Sequence, residues 1–174
     1  MKGFKETDES MLSSFTQLPS GLMGRYEFLM NRPAQRIREM TEETLGPLKI
    51  TPKQYGILAS IHFEGHSTQR AISSMLKIDQ TTMVILIDDL EEKGFVVRND
   101  YPKDRRCYLL HLTPSGKELF KKAHKLVMKT EEKFLGPLSK MERKTLRKFL
   151  SKLFYYIPSQ SKIVNDKYTQ GHFC

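Results

Sequence analysis

Residues 68–112 read TQRAISSMLKIDQTTMVILIDDLEEKGFVVRNDYPKDRRCYLLHL, and this stretch decides the fold. In its first part, Thr68–Leu76, apolar residues recur at helical spacing, which predicts a short helix. After a break at residues 77–78 comes Asp79, whose carboxylate can accept a hydrogen bond from the free N–H groups at the start of a second helix. Two helices joined by so short a connection predict a helix-turn-helix.

The second segment, from Gln80 to the stop signal at Gly94, is rich in β-branched residues, which also suit a buried strand. Its periodicity favours a helix, because four apolar residues fall at the i, i+3, i+4, i+7 spacing of one helical face: Met83, Leu86, Ile87 and Leu90. A half-buried strand would instead alternate apolar with polar residues. We therefore predict a second helix with one buried stripe.

The opposite face of this second helix differs between its two halves. Its first half is small, polar or aliphatic and lies near the positive end of the helix dipole. Its second half carries three carboxylates that nucleic-acid phosphates would repel: Asp88, Asp89 and Glu92. Only the N-terminal half is therefore expected to enter a DNA groove, as recognition helices do.

Four residues of that half are candidates for DNA contact. Gln80 can pair with adenine through its amide, Thr81 and Thr82 can bond a base or a phosphate, and Ile85 can pack on a thymine methyl. The alternative is that they are ordinary helix-surface residues. An isoleucine opposite the core stripe favours groove contact, because large apolar side chains are usually buried.

Two apolar, β-rich runs follow Gly94 and enclose a polar loop that contains proline, which predicts a β-hairpin. The loop carries a basic tip: Lys103, Arg105 and Arg106. A helix-turn-helix followed by such a hairpin is a winged helix-turn-helix. For the loop alone, a solvated basic turn remains the alternative.

The motifs together resemble the MarR family of bacterial transcription regulators over roughly residues 25–155. The resemblance rests on the Asp79–Val84 helix start, on LEEKGFV at residues 90–96, on the wing motif Asp104-x-Arg106 and on the Leu112-Thr113-x-x-Gly116 exit. It implies that Arg106 enters the minor groove and that Asp104 orients it, while Arg105 is expected to meet phosphate. Many family members have Arg at the position of Ile85, which weakens the case for a guanine contact there.

The flanking segments predict a dimer. Helix start signals lie at Thr51, Thr113 and Ser139, with Gln54 and Glu142 as capping-box partners of the first and the last. Together with periodic apolar residues they indicate helices on both sides of the winged lobe, and the apolar stripes of these helices exceed what a small core can cover. By resemblance, these helices interlock as a two-fold, obligate-type homodimer. The predicted organisation is a flexible arm (1–19), a dimerisation helix (20–50), the winged helix-turn-helix lobe (51–112), further dimerisation helices (113–157) and a tail (158–174). Pro33 is expected to kink or interrupt the first helix.

Composition supports a polyanionic partner. The 174 residues carry a formal net charge of +9, and residues 113–157 hold 12 Lys and Arg against 4 Asp and Glu. Lys-rich helices are often only solvated faces, so the surplus does not itself locate a DNA surface. The two cysteines show no pairing pattern, and no stretch resembles a signal peptide or a membrane span. We therefore expect a cytoplasmic protein without a membrane partner.

Regulation is the least determined property. Proteins of the resembling family typically answer small aromatic or phenolic effectors, and the residues expected to contribute lie on the first two helices: Tyr26, Met30, Arg36, Tyr55 and His62. Ordinary core and surface roles remain the alternative for each. The His62/His66 pair has metal-ligand spacing, but Gly65 should end the helix between them, so we predict neither metal nor cofactor.

Two other functional readings stay open. Cys107, beside Arg105 and Arg106, could act as a thiol switch, although a strand cysteine is usually a core residue. The acidic second half of the recognition helix would also suit an interaction module that keeps the fold without binding DNA. No nucleophile elbow, phosphate loop, HExxH or CxxC is present, so we predict that the chain is not an enzyme.

Overall fold

The structure is a computed structural model that describes residues 24–65, 67–101 and 108–156. Its helices are α1 (Tyr26–Leu45), a 3-10 turn (Gly46–Leu48), α2 (Pro52–Glu64), α3 (Gln69–Leu76), α4 (Gln80–Glu92), α5 (Pro114–Phe134) and α6 (Lys140–Phe154). The strands are β1 (Ser67–Thr68), β2 (Val96–Asp100) and β3 (Tyr108–Leu112). The predicted mainly α, winged helix-turn-helix fold is confirmed.

Helix α1 crosses the boundary between two compact units of the chain, which divide after Glu39. In the first unit the helix surface carries Tyr26, Leu29 and Met30, all exposed. The helix is continuous through Pro33, so the proline does not interrupt it. The alternative expectation, a kink at this proline, stays a prediction. The second unit begins with the last turn of α1, where Leu45 is fully buried.

Helix starts in the second unit follow the side-chain capping that the sequence predicts. Thr51 and Gln54 form a reciprocal capping box at α2, and Ser139 and Glu142 form another at α6. Because each capping side chain satisfies an otherwise unpaired backbone N–H, these residues fix where a helix begins. Gly65, with φ of 76°, ends α2 as expected.

The sheet has three antiparallel strands in the order β1-β3-β2, one more than the predicted hairpin. Strands β2 and β3 pair along their full length, from Val96 opposite Leu112 to Asp100 opposite Tyr108. The additional strand β1 has two residues and pairs with Leu109 and Leu110 of β3. So short a strand has no periodicity of its own, which is why the sequence does not reveal it.

The core of the second unit lies where α2, α4, α5 and the sheet meet. Its centre contains Ile57 and Leu58 from α2, Met83, Ile87 and Leu90 from α4, and Leu110 from β3, all fully buried. Burying one such side chain contributes about 1.5–3 kcal/mol, so the stripe of α4 holds this helix firmly against the core. Its opposite face is thereby left to solvent.

The exit from the sheet is locked against the end of α4. Thr113 and Ser115 both donate hydroxyl hydrogen bonds to the carbonyl oxygen of Gly94, each at 2.7 Å. Gly116 lies so close to Phe95 that an added Cβ would stand 1.9 Å from the Phe95 carbonyl oxygen. The Leu112-Thr113-x-x-Gly116 motif is therefore a packing requirement: only glycine fits where α5 begins against this turn.

Candidate nucleic-acid interface

The turn between α3 and α4 is held by one buried serine. The Ser73 hydroxyl donates to the carbonyl oxygen of Ile78 at 2.6 Å and accepts a hydrogen bond from Gln80 Nε2 at 2.9 Å. Lys77 adopts a left-handed conformation, with φ of 53°, and ends α3. This arrangement brings the N-terminus of α4 to the surface at a fixed angle to α3.

Asp79 caps α4 as the sequence predicts. Its carboxylate accepts a hydrogen bond from the backbone N–H of Thr82 at 2.8 Å. That backbone bond, followed by one from the Thr82 hydroxyl, lowers the pKa of Asp79 below its ordinary 3.8. The cap is therefore charged near neutral pH and adds a favourable charge at the positive end of the helix dipole.

The four predicted contact residues of the helix are brought together at its exposed start. Thr81 and Gln80 are exposed, and Thr82 is half-buried. Ile85 leaves 64% of its surface in solvent, whereas the apolar stripe on the core-facing side of α4 is buried. The amide nitrogen of Gln80 is engaged by Ser73, so this side chain is less free than the sequence suggests. These four residues thus offer two hydroxyls, one amide and one aliphatic side chain over the first two turns, where Val84 is also 42% exposed.

Arg98 of β2 neutralises part of the acidic half of α4. Its guanidinium donates to the carboxylates of Asp88 and Glu91, and its backbone N–H donates to Glu91 Oε1 at 3.1 Å. The Arg98 side chain is 19% exposed, so the pairs are partly shielded from water. They fasten the wing strand to the recognition helix and reduce the negative charge that DNA would meet.

On the other side of the helix, Asp89 bridges to α2. Its carboxylate accepts from Gln54 Nε2 and from Lys93 Nζ, the latter at 2.7 Å. The Lys93 bond, and after it the Gln54 bond, lowers the pKa of Asp89 below 3.8. Gln54 also belongs to the capping box of α2, so one buried amide connects the start of α2 to the recognition helix.

The predicted wing contacts Lys103, Asp104, Arg105 and Arg106 lie outside the described residues, as do Cys107 and His66. What the structure does describe is the base of the wing, where Asp100 pairs with Tyr108 across the two strands. The hairpin expected on each side of that loop is confirmed. The roles of the loop residues stay predictions.

Of the predicted effector residues, Tyr55 and His62 belong to one ring cluster between α2 and α5. The Tyr55 hydroxyl and His124 Nδ1 are 2.8 Å apart, and the rings of Tyr55 and His62 both pack against Phe120, with centroids at 6.1 and 4.3 Å. Burial, and after it the negative charge of Glu131, raises the pKa of Tyr55 above its ordinary 10.0. Tyr26, Met30 and Arg36 lie in the first unit, on the exposed surface of α1.

A surface groove of about 440 Å³ lies beside the recognition helix. One wall is formed by Ile85, Leu86 and Asp89 of α4 and by Lys93 directly after it. The other side includes Lys49, Ile50 and Gln54. None of the five predicted effector residues lines it. Among residues 24–65, 67–101 and 108–156, no group of three or more His, Cys, Asp or Glu side chains is placed to hold a metal ion.

Three residues at the interface were not singled out from the sequence. Arg98 reads as an ordinary strand residue, Ser73 as an ordinary helix residue, and Gln54 only as a cap. Their partners are 5 to 35 residues away in sequence, from Ile78 for Ser73 to Asp89 for Gln54. One local signal could have suggested the contacts of Arg98: this arginine lies in a strand that directly follows the acidic end of α4.

Comparison with known proteins agrees with this geometry. The MarR family model matches residues 50–108, which include α2, the helix-turn-helix and strand β2. A protein assigned to transcriptional regulation of the hcr operon in Thauera aromatica is 36% identical over 105 residues, which cover 60% of this chain and 63% of that protein. The multiple antibiotic resistance protein MarR of Salmonella typhimurium is 30% identical over 102 residues, covering 59% of this chain and 69% of that protein.

Solved structures extend the similarity to most of the chain. Wild-type MarR from E. coli in its apo form superposes with a TM-score of 0.67 at 28% identity, covering 74% of this chain and 96% of that one. A mutant of the same protein complexed with operator DNA gives a TM-score of 0.67 at 29% identity, covering 73% and 91%. Within residues 24–65, 67–101 and 108–156, none of the helices combines the length and the hydropathy that spanning a membrane requires.

Proposed function

The chain belongs to the MarR family of transcriptional regulators, and from this membership we propose that it binds a pseudo-palindromic operator in double-stranded DNA as a homodimer and acts as a repressor. The reading residues are Gln80, Thr81, Thr82 and Ile85 of α4, together with Lys103, Arg105 and Arg106 of the wing, with Asp104 orienting Arg106. This proposal places the protein in the cytoplasm and gives it no catalytic role.

The exposed start of α4 carries the proposal. Four side chains with groove-reading chemistry surround an N-terminus that is capped, fixed by Ser73 and positive by its dipole. Beside two hydroxyl residues, Ile85 leaves 64% of its surface in solvent, so an aliphatic side chain is available for contact at this face. Contact with thymine methyl groups in the major groove accounts for an aliphatic side chain at that position.

The ion pairs of α4 weaken the alternative of a DNA-independent module. That alternative rested on the acidic second half of the helix. Asp88 and Glu91 share the single charge of Arg98, and Asp89 pairs with Lys93, so two positive charges offset part of this negative charge within the protein. The carboxylates therefore act as internal ties for α4, and their repulsion of phosphate is reduced.

The homodimer is proposed from the apolar face of α6. Along this helix the large side chains are exposed in the single chain, with Phe149 at 58%, Leu153 at 59% and Phe154 at 81%. A contiguous apolar surface of this kind usually marks an interface. Residues 113–157, with the helix of residues 20–50, would hold two winged lobes (51–112) so that their recognition helices lie about 34 Å, one DNA turn, apart.

For regulation we propose a small aromatic or phenolic effector whose site includes the Tyr55 and His62 ring cluster. The cluster offers planar rings and a phenol–imidazole pair, and such groups stack on and hydrogen-bond aromatic ligands. An effector lowers operator affinity only if it prefers a dimer geometry that does not fit DNA. Tyr26, Met30 and Arg36, in the first unit, remain effector-binding candidates from the sequence alone.

Salt-dependent binding tests the DNA proposal. Fluorescence anisotropy with random-sequence duplex DNA at about 50 mM salt should show binding whose logarithmic affinity falls linearly with the logarithm of salt concentration. Sedimentation of the free protein should give twice the 20.3 kDa mass of the chain. A monomeric mass would contradict the proposed dimer. A protein that does not bind duplex DNA even at low salt would support the alternative of an interaction module that keeps the fold without binding DNA.

The effector proposal needs a separate experiment. Small aromatic acids, phenols and oxidants are screened for a change in melting temperature, and each hit is tested for release of bound DNA. An aromatic ligand that raises the melting temperature and releases DNA supports the proposal. Release by oxidant alone, abolished in Cys107→Ser, would replace the effector with a thiol switch.

A further inference from the structure

Ser73 is buried in α3 and lies between the turn and the recognition helix. Its side chain is 4% exposed, and its hydroxyl touches two polar groups. One is the carbonyl oxygen of Ile78, at 2.6 Å, and the other is Nε2 of Gln80, at 2.9 Å. The first contact closes the helix-turn-helix, and the second reaches a side chain at the first position of α4.

The chemistry of a hydroxyl fixes which way the Gln80 amide faces. A serine has one proton to donate, and a carbonyl oxygen can only accept, so that proton goes to Ile78. Towards Gln80 the serine oxygen must therefore act as an acceptor. The amide nitrogen, and not the amide oxygen, then has to face Ser73.

We propose that Ser73 is a positioning residue for base recognition, which holds the Gln80 amide in one orientation for reading the operator. This inference rests on the proposed DNA-binding function. With one N–H committed to Ser73, Gln80 keeps its second N–H and its Oε1. A glutamine needs one donor and one acceptor of this kind to pair with the N7 and N6 groups of adenine in the major groove.

Fixing the side chain before binding increases selectivity. A free glutamine populates many rotamers, and their loss on binding opposes recognition. A free amide can also turn its oxygen and nitrogen to suit other base edges. When Ser73 fixes the orientation of the Gln80 amide, the side chain loses its rotamer freedom on folding and not on binding. A wrong base then meets an amide that does not turn to suit it. Ser73 thereby affects specificity without touching DNA.

Ser73→Ala tests this inference. The duplex selected by the wild-type protein is compared, by anisotropy titration, with duplexes that carry each single substitution in one half-site. We expect the wild-type protein to discriminate at the Gln80 base pair and Ser73→Ala to lose about 5- to 10-fold of that discrimination, as expected for a freed glutamine side chain. Discrimination at the other base pairs should stay within about twofold.

The same substitution in a Gln80→Ala background separates positioning from general structural damage. If Ser73 acts through Gln80, adding Ser73→Ala to Gln80→Ala changes discrimination no further. An equal loss in both backgrounds, or an unchanged preference in Ser73→Ala, overturns the inference. Ser74→Ala, at an exposed neighbour on the same helix, is the matched control and should leave the preference unchanged.

Ser73→Cys covers the case in which Ser73→Ala does not fold. A thiol is a weak donor and acceptor, so this variant should keep the turn and lose part of the preference at the same base pair. Wild-type preference in a folded Ser73→Cys protein overturns the inference. A wild-type protein that selects no DNA sequence would refute the proposed DNA-binding function. A wild-type protein and a variant with the same sequence preference would refute only the role of Ser73, so the two failures are distinguishable.

Discussion

Arg98→Met is the substitution that most directly probes the contact between wing and recognition helix. It removes the charge-assisted hydrogen bonds to Asp88 and Glu91 and keeps an apolar chain of similar length. Such bonds contribute about 1.5–3 kcal/mol when shielded, but Asp88 is 57% and Glu91 37% exposed, which lowers the contribution. We expect the free energy of unfolding to fall by about 1–2 kcal/mol in urea titrations.

The same substitution should weaken DNA binding through charge. At about 10 Å in water, each unpaired carboxylate repels a phosphate by about 0.4 kcal/mol before salt screening. Asp88 and Glu91 share the single charge of Arg98, so its loss changes the net charge by one unit and reduces affinity about twofold at low salt. The difference should shrink as salt rises. Anisotropy titrations at several salt concentrations measure both effects.

A compensating variant separates charge from folding. Arg98→Met combined with Asp88→Asn keeps the wild-type net charge of these residues, so it should recover the wild-type DNA affinity while remaining less stable than wild type. Lys121→Met is the stability control, because its pair with Glu118 is about two-thirds exposed on both sides and should contribute little. Unchanged affinity in Arg98→Met at low salt, or no recovery in the combined variant, would refute the reasoning.

Four further predictions address separate parts of the account. Ile85→Ala should relax discrimination at one base pair per half-site by about 1 kcal/mol, since a methyl contact is lost; selection from random duplexes with unchanged information content argues against this. Arg106→Ala should weaken operator binding by about 1–3 kcal/mol in the same titrations, and unchanged affinity reduces the loop to a solvated turn. Gly116→Ala should lower the free energy of unfolding by about 3 kcal/mol in urea titrations, because the new Cβ meets the Phe95 carbonyl oxygen. Gly46→Ala is the control, since a Cβ added there would meet no other side chain or backbone atom within 4 Å. Because the folded pKa of Asp89 lies below 3.8, its contribution to stability is present above that pH and is lost as pH falls further, so Asp89→Asn should flatten the acid side of the stability profile.

Local signals in the sequence predicted the helices and the hairpin. Thr51, Asp79, Thr113 and Ser139 each precede a helix and each caps it in the structure, because a cap acts within three residues of itself. The apolar stripe of α4 was predicted correctly against its β-branched composition, since burial of a helical face depends on spacing. Both kinds of signal are contained in a short window.

The remaining features depend on contacts that no short window contains. Strand β1 exists because two residues before α3 meet β3 about forty residues later in the chain. The Arg98 pairs, the Gln54 bridge and the orientation of Gln80 by Ser73 likewise require the folded arrangement. At Pro33 the sequence alone left a kink and an interruption open, and α1 continues without interruption.

The central claim is that two recognition helices of one dimer read a pseudo-palindrome in double-stranded DNA. Selection of bound sequences from a random duplex library by the wild-type protein measures this most directly. The account predicts enrichment of one inverted repeat whose half-site centres are about 10 base pairs apart, the spacing of one DNA turn. Recovery of a library with no enriched sequence, or of a single unrepeated half-site, would contradict it.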